Sequence, residues 1–376
     1  MSAQTIFFPP FSCLKEKNAY LCSLKRKLIT IEDMIFPAFL LGSLLMFYVI
    51  FSIHILCFKK DRTRFLTVLG YIMIFMMVWN LKDAIVFFPG MYRPEIVHWI
   101  MVIDGWSAIA YAVFLFEAVE PGWTTVRRML LHSVPFALFT LWYALQTEPW
   151  VLTIYVIFLW TYALGVVLVA YLKMRRQQSY LLSNFSNIER IDSGWLKKVL
   201  FFSVVSQVSW YLTSINGTIL ANAFYYVACM VLWLIILYYS WNYRPVKMVT
   251  EVLADKQTKL PIADGELERV VEEGQLYLNP NLTVSDLAQA LNTNRTYVST
   301  YLSQKRGQTF YDYINELRIT EKSIPLMEEH PEYKLEYVAA QSGFSSMATF
   351  RRAFARKTGE VPSQFAEKNG GDCPKT

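Results

Sequence analysis

The residues best suited to do chemistry lie near the end of the chain, in "GFSSMATFRRAFARKTGEVP" (Gly343–Pro362). Phe350 and Phe354 repeat four residues apart, the spacing of neighbours on one helix face. Met347 and Ala348 precede Phe350, and Arg351 and Arg352 follow it. A guanidinium can fork onto both acceptors of a guanine edge, and a small side chain such as Ala348 can touch a thymine methyl. A related set occurs roughly 50 residues earlier, where Arg295, Thr296, Ser299 and Thr300 share a stretch with the apolar Val298, Tyr301 and Leu302. Ser299 and Thr300 are short, so this first set offers fewer long-reaching donors. Lys305, Arg306, Arg356 and Lys357 suit phosphate contacts, which set register and carry no base information. For each arginine the alternative is a solvated surface charge.

Other chemistries find no support. The four histidines (His54, His98, His132, His330) are scattered, and neither a phosphate-cradling glycine loop nor an HExxH or GxSxG motif occurs. No CxxC or Cys/His cluster exists, so no metal site and no cofactor are expected. Cys57 and Cys229 lie in apolar runs as packing residues, and only Cys13 and Cys22 could pair, if their segment is exported. The chain is not expected to be an enzyme.

The elements that must position these residues are helical. "LTVSDLAQALNTNRTYVSTYLSQ" (Leu282–Gln304) reads as helix, tight turn, helix, with Val284, Leu287, Ala288 and Leu291 as the first apolar stripe. Asn292 falls where a left-handed backbone is needed. "KLEYVAAQSGFSSMATFRRAFARKTG" repeats the pattern: Leu335, Val338 and Ala339 form the stripe, Gly343 makes the turn, and Ser345 or Ser346 caps the next helix. A longer helix, Phe310–Glu329, joins the two, and Pro325 should kink or end it. Asp264–Pro280 reads as a short leading helix.

On "LTVSDLAQAL", "YLSQKRGQTFYDYINELRI" and "VAAQSGFSSMATFRRAFARKTGEVPSQF", residues 262–368 resemble the AraC/XylS family of transcription regulators. The resemblance implies two helix-turn-helix units that dock recognition helices into successive major-groove segments. It also assigns base contacts to Arg295, Thr296, Ser299, Thr300, Met347, Ala348, Arg351 and Arg352. Two departures stand out: Asn292 replaces the glycine of the first turn, and Pro325 puts the angle between the units in question. The layout resembles membrane-anchored members with a multi-span N-terminal half.

That half is apolar throughout: the chain is 54% hydrophobic and only 18% charged. Seven runs, 35–58, 65–88, 97–116, 129–145, 150–172, 199–220 and 224–241, approach the ~20 residues that a helix needs to cross a bilayer. The fourth is short and contains Pro135. Cations gather after the first run (Lys59–Arg64), before the fourth (Arg127, Arg128) and between the fifth and sixth, whereas the alternate loops hold only Arg93. Cationic loops stay cytoplasmic. The expectation is therefore an all-α protein with a seven-helix bundle over 34–241, its N-terminus outside. A linker (242–261), a cytoplasmic DNA-binding domain (262–368) and a disordered tail (369–376) follow. Residues 1–33 are either a basic tail overridden by later loops or lie before a natural start at Met34.

Ionisable residues inside spans are costly and informative. Lys82 and Asp83 in the second run and Asp104 in the third share a level, with Asn80 and Asn216 nearby. They form either a buried ion pair joining two helices or a signal-sensing pocket open to the outside. Together these features describe a one-component regulator of the bacterial inner membrane. Its expected partners are promoter double-stranded DNA, the lipid bilayer, a small ligand or protein signal, and a second copy of the chain. A transporter or membrane enzyme fused to a DNA-binding domain, and a tether without sensing, are the alternatives. The 20-residue segment 242–261 would carry the signal.

Overall fold

A computed structural model describes residues 31–88, 94–216, 219–248, 262–263 and 265–368. Cys13, Cys22, Cys373, most of the 1–33 tail and residues 249–261 of the linker lie outside the described residues. The chain divides into two compact units. One contains residues 1–174 and 193–247, the other residues 175–192 and 248–376. Among the described residues the secondary structure is helical, apart from one isolated antiparallel bridge between Phe185 and Thr283.

The N-terminal unit is built from α1 (Ile31–Ile53), α2 (Arg64–Asn80), α3 (Pro94–Asp104), α4 (Ser107–Val119), α5 (Val126–Leu145), the first part of α6 (Pro149–Asn184), α7 (Leu196–Asn216) and α8 (Ile219–Ser240). Helix α1 begins at Ile31, so the last residues of the expected tail are already helical. Leu44, Tyr48, Leu69, Met73, Phe114 and Trp233 form its main core, and Val102, Phe136, Tyr155 and Leu159 form a second. Among the described residues, five helical stretches are long and apolar enough to cross a membrane: Ile35–Phe58, Arg64–Ile85, Glu95–Val119, Pro149–Asn184 and Asn222–Ser240. The two other expected spans do form helices, α5 and α7, but they are not among the five. Arg127, Arg128, His132 and Pro135 dilute α5, while Lys197, Lys198, Gln207 and a series of serines dilute α7.

Two local features depart from a set of plain rods. The third apolar run is broken between α3 and α4 at Gly105, where an added Cβ would lie 2.1 Å from the Tyr155 hydroxyl. That hydroxyl donates to the Val102 carbonyl at 2.9 Å, so only glycine lets the two helices meet there. Helix α6 runs for 36 residues, well beyond the apolar run that ends at residue 172. Charge ends an apolar run without ending a helix, and Lys, Met, Arg, Gln and Leu all favour helix.

The C-terminal unit contains α9 (Glu266–Glu273), α10 (Val284–Ala290), α11 (Arg295–Tyr301), α12 (Phe310–Leu317), α13 (Ile324–Glu329), α14 (Leu335–Gln341), α15 (Met347–Thr358) and α16 (Pro362–Lys368). Leu267, Val284, Leu287, Val298, Leu302, Phe310 and Ile314 close one core. Ile319, Val338, Phe344, Phe350 and Phe354 close another. The connection between α12 and α13 is a π-helical turn, Arg318–Ser323, with Pro325 in the first turn of α13. The backbone stays helical through this turn, whose wider hydrogen-bond spacing accommodates a ring that lacks an N–H. The expected kink is thus absorbed as a bulge, and the Ser323 hydroxyl donates to the Arg318 carbonyl at 2.8 Å across it.

Candidate nucleic-acid interface

Two helix pairs of similar design carry the residues singled out for DNA. In the first, Thr283 caps α10 through a capping box with Asp286, and Asn294 caps α11 by accepting from the Tyr297 N–H at 3.0 Å. Between the two helices Asn292 takes the left-handed backbone at φ 53°. In the second pair, the turn residue is Gly343 at φ 83°, and a Cβ there would meet the Leu278 carbonyl oxygen at 2.6 Å. Ser346, not Ser345, caps α15, its hydroxyl accepting from the Thr349 N–H at 3.3 Å. Capping and turn chemistry therefore fix the rotation of α11 and α15 about their axes. Val298 goes into one core and Phe350 and Phe354 into the other, and the polar residues face outward.

On α15, Ala348, Arg351 and Arg352 are exposed and Met347 is half-buried. The Arg352 Nε reaches the Ala348 carbonyl of its own helix at 3.3 Å. On α11, Thr296 and Thr300 are exposed and Arg295 and Ser299 are half-buried. These four line one wall of a groove, and Tyr180, Ser183 and Asn184 at the end of α6 form the other wall.

Arg306, Arg356 and Lys357, expected to hold phosphates, have carboxylate partners. Arg306 donates to Glu268 Oε1 through Nη2 at 2.7 Å and Nε at 3.1 Å. Arg356 pairs with Asp312, and Lys357 with Glu316, both carboxylates belonging to α12. Burial pushes Glu268 up, but the Arg306 donors outweigh it and hold its carboxyl below the usual range. The Lys357 hydrogen bond does the same for Glu316 against the effect of burial. Such partly exposed pairs are weak and can be exchanged for phosphate. Lys305 is exposed on the π-helical turn Leu302–Arg306 that follows α11.

Arg318 was missed by sequence reasoning. It is 1% exposed, and its five donor hydrogens meet five acceptors. Nε donates to the Tyr277 carbonyl at 2.6 Å, and Nη2 to the Asn279 carbonyl at 2.7 Å and the Ser186 hydroxyl at 3.2 Å. Nη1 donates to the Asn315 side-chain oxygen at 3.0 Å and the Ser186 carbonyl at 3.3 Å. Burial without a carboxylate partner pushes the guanidinium down to about 10. A signal existed: Arg318 stands four residues after Ile314, on the apolar face of the helix.

In the N-terminal unit the structure brings Lys82, Asp83 and Asp104 together. The Lys82 ammonium donates to Asp83 at 2.8 Å and also to Asp104. Asn80 stays apart, its amide donating to the Met76 carbonyl at 2.7 Å, and Asn216, the last residue of α7, has a side chain outside the described set. Trp210, which the sequence did not single out, approaches Asp104 Oδ2 at 3.4 Å through its indole N–H. Asp104 and Trp210 also line a cavity of about 120 Å³ with Ser206, Gln207, Trp160 and Tyr225. Among the described residues, no group of three or more His, Cys, Asp or Glu is arranged to hold a metal.

The C-terminal unit is thus a helical, capped domain that presents arginines outward on its last long helix. The helix-turn-helix domain family, of the AraC type, matches residues 287–368. An uncharacterized HTH-type transcriptional regulator of Staphylococcus aureus strain COL is 26% identical over 111 residues, covering 30% of this chain and 14% of the relative. The transcriptional regulatory protein HptR of S. aureus strain bovine RF122 is 27% identical over 110 residues, covering 29% of this chain and 42% of that protein. The likeness thus spans less than half of these relatives and only the C-terminal part of this chain. No solved structure matches it. Residues 287–368 are an AraC-type helix-turn-helix domain.

Proposed function

We propose that this regulator is anchored in the bacterial cell membrane and reads promoter DNA from the cytoplasmic side with two helix-turn-helix units, α10–α11 and α14–α15. The observation that carries the reading is that one chain joins an AraC-type domain to five helices able to span a bilayer. With α5 and α7 as less apolar members the bundle has seven spans, and the cationic loops put its C-terminus inside. Arg295, Arg351 and Arg352 are the proposed base readers, with Thr296, Ser299, Thr300, Met347 and Ala348 filling the reading faces. Lys305, Arg306, Arg356 and Lys357 hold the backbone, the last three by leaving their carboxylates.

Sensing is assigned to the N-terminal unit. A cavity with mostly apolar walls and a few polar groups, among them Asp104, supports this over a bare tether, because that lining is what a small-ligand site requires and anchoring does not. The occupant is a small ligand whose polar group meets Asp104, Ser206 or Gln207. Two copies tethered in one membrane would raise their effective concentration at a paired site. The test is selection from a random duplex library by the full chain in lipid nanodiscs. The reading expects a shared motif with two half-sites about one helical turn apart, whose binding weakens steeply with salt. Recovery of no shared sequence at any salt would refute it.

A further inference from the structure

The four side chains proposed to read bases on α11 share their groove with the chain's own α6. Tyr180, Ser183 and Asn184 make its opposite wall, within the C-terminal unit to which residues 175–192 belong. A helix that reads bases must enter a major groove about 12 Å wide and 8.5 Å deep, so both of its flanks must be clear. One flank of α11 is not. On α11 Thr296 and Thr300 are exposed but Arg295 and Ser299 are half-buried, whereas on α15 Ala348, Arg351 and Arg352 are all exposed.

The obstruction is fastened, not merely adjacent. Just beyond α6, the Ser186 N–H and hydroxyl both donate to the Leu282 carbonyl, at 3.2 and 2.7 Å, beside the Phe185–Thr283 bridge. Arg318 then grips the carbonyl and hydroxyl of the same serine, spending two of its five donors on it. Ser186, Asn315 and Arg318 are all buried. When the segment leaves, those two Arg318 donors and the Leu282 carbonyl pass to water, so the fastening is reversible and does not weld the segment to the domain. Helix α6 is one continuous element whose earlier residues Leu159, Trp160 and Val166 line the cavity at Asp104. Its displacement is therefore a direct route from sensing to reading, alongside the 242–261 segment.

We propose that residues 175–192 form a clasp, held by Arg318 on Ser186, that bars α11 from DNA while α15 remains free, so that the protein switches between one-unit and two-unit binding. This rests on the DNA-reading function proposed above. The test places spin labels at Ser183→Cys and Ser303→Cys, which line the same groove outside the proposed reading set, in the full chain, with its native cysteines replaced by serine, in nanodiscs. The probe DNA is the duplex enriched in the selection.

Without DNA, a single short distance is expected. Saturating DNA that protects both half-sites should lengthen it. Ser186→Pro, which removes the N–H and hydroxyl, should lengthen it without DNA and tighten binding about tenfold, as for an open state populated near a tenth of the time. Protection should be gained over the α11 half-site only. Ser186→Ala, which spares the backbone, should move both readouts in the same direction by less. A broad, long distance in the DNA-free protein would overturn the clasp even if no duplex is ever enriched. So would a short distance that persists while both half-sites are protected. Failure of the regulator reading shows itself separately, as loss of protection over the α15 half-site.

Discussion

The two helix pairs of the C-terminal unit solve one problem with different margins. Each turns on a single left-handed residue and caps its second helix with a short polar side chain. In the second pair the turn is pressed against the Leu278 backbone, and only glycine fits. In the first, Asn292 is exposed and its φ of 53° lies where asparagine is tolerated. Their outer faces differ in the same sense. Helix α15 carries three exposed arginines, Arg351, Arg352 and Arg356, whereas α11 carries one half-buried arginine and faces the end of α6. Under the proposed function, the second pair is the fixed reader and the first the conditional one.

The largest effect concerns whether either unit can reach DNA at all. Reporter fusions after Phe88 and Gln146 should report outside, and those after Arg62, Arg176 and Lys247 inside. An outside signal at Lys247 would strand both units away from the nucleoid and make their difference irrelevant. Next comes the asymmetry of the turns. Gly343→Ala places a Cβ 2.6 Å from a carbonyl oxygen at a positive φ, and should destabilise the unit by about 3 kcal/mol or more. Asn292→Gly should change stability by less than about 1 kcal/mol, in either direction. Thermal unfolding of the full chain in detergent separates the two, and equal shifts would mean that the turns are equivalent after all.

Smaller effects sharpen the reading faces. Arg352→Ala should cost about 1–3 kcal/mol at its own base positions and relax preference there. Lys305→Ala should weaken all sequences alike and reduce the salt slope by about one. Uniform losses from both would show that Arg352 holds phosphate. The smallest effect is with pH. Glu268 and Glu316 are held below the usual carboxylate range by Arg306 and Lys357, so their contributions are present above that range and lost as pH falls through their depressed values. Acid unfolding of the C-terminal unit should therefore shift to higher pH in Glu316→Gln, and by more than in Glu273→Gln, whose carboxylate lies farther from its Arg269 partner at 3.7 Å.

What could be read from the sequence followed periodicity and local chemistry. Apolar spacing gave the helices of both pairs, Asn292 and Gly343 announced their turns, and the level shared by Lys82 and Asp104 was legible from rise per residue. What escaped were contacts between residues far apart in the chain. Ser186 and Leu282 are 96 residues apart, and nothing local to either marks the other. The run ending at residue 172 marked the end of an apolar stretch, while the helix itself continued to Asn184 and into the groove beside α11. Arg318 was hidden for the opposite reason: an arginine on an apolar face reads as an exception until its carbonyl partners are seen.

The central claim is that a membrane-held chain reads specific promoters. It is tested most directly by crosslinking the full-length protein to DNA in living cells and recovering the bound fragments from the membrane fraction. The account predicts a small set of promoters sharing the motif selected in vitro, lost together in an Arg351→Ala, Arg352→Ala double variant that still reaches the membrane. Fragments without a common sequence, or a set unchanged in that variant, would contradict it.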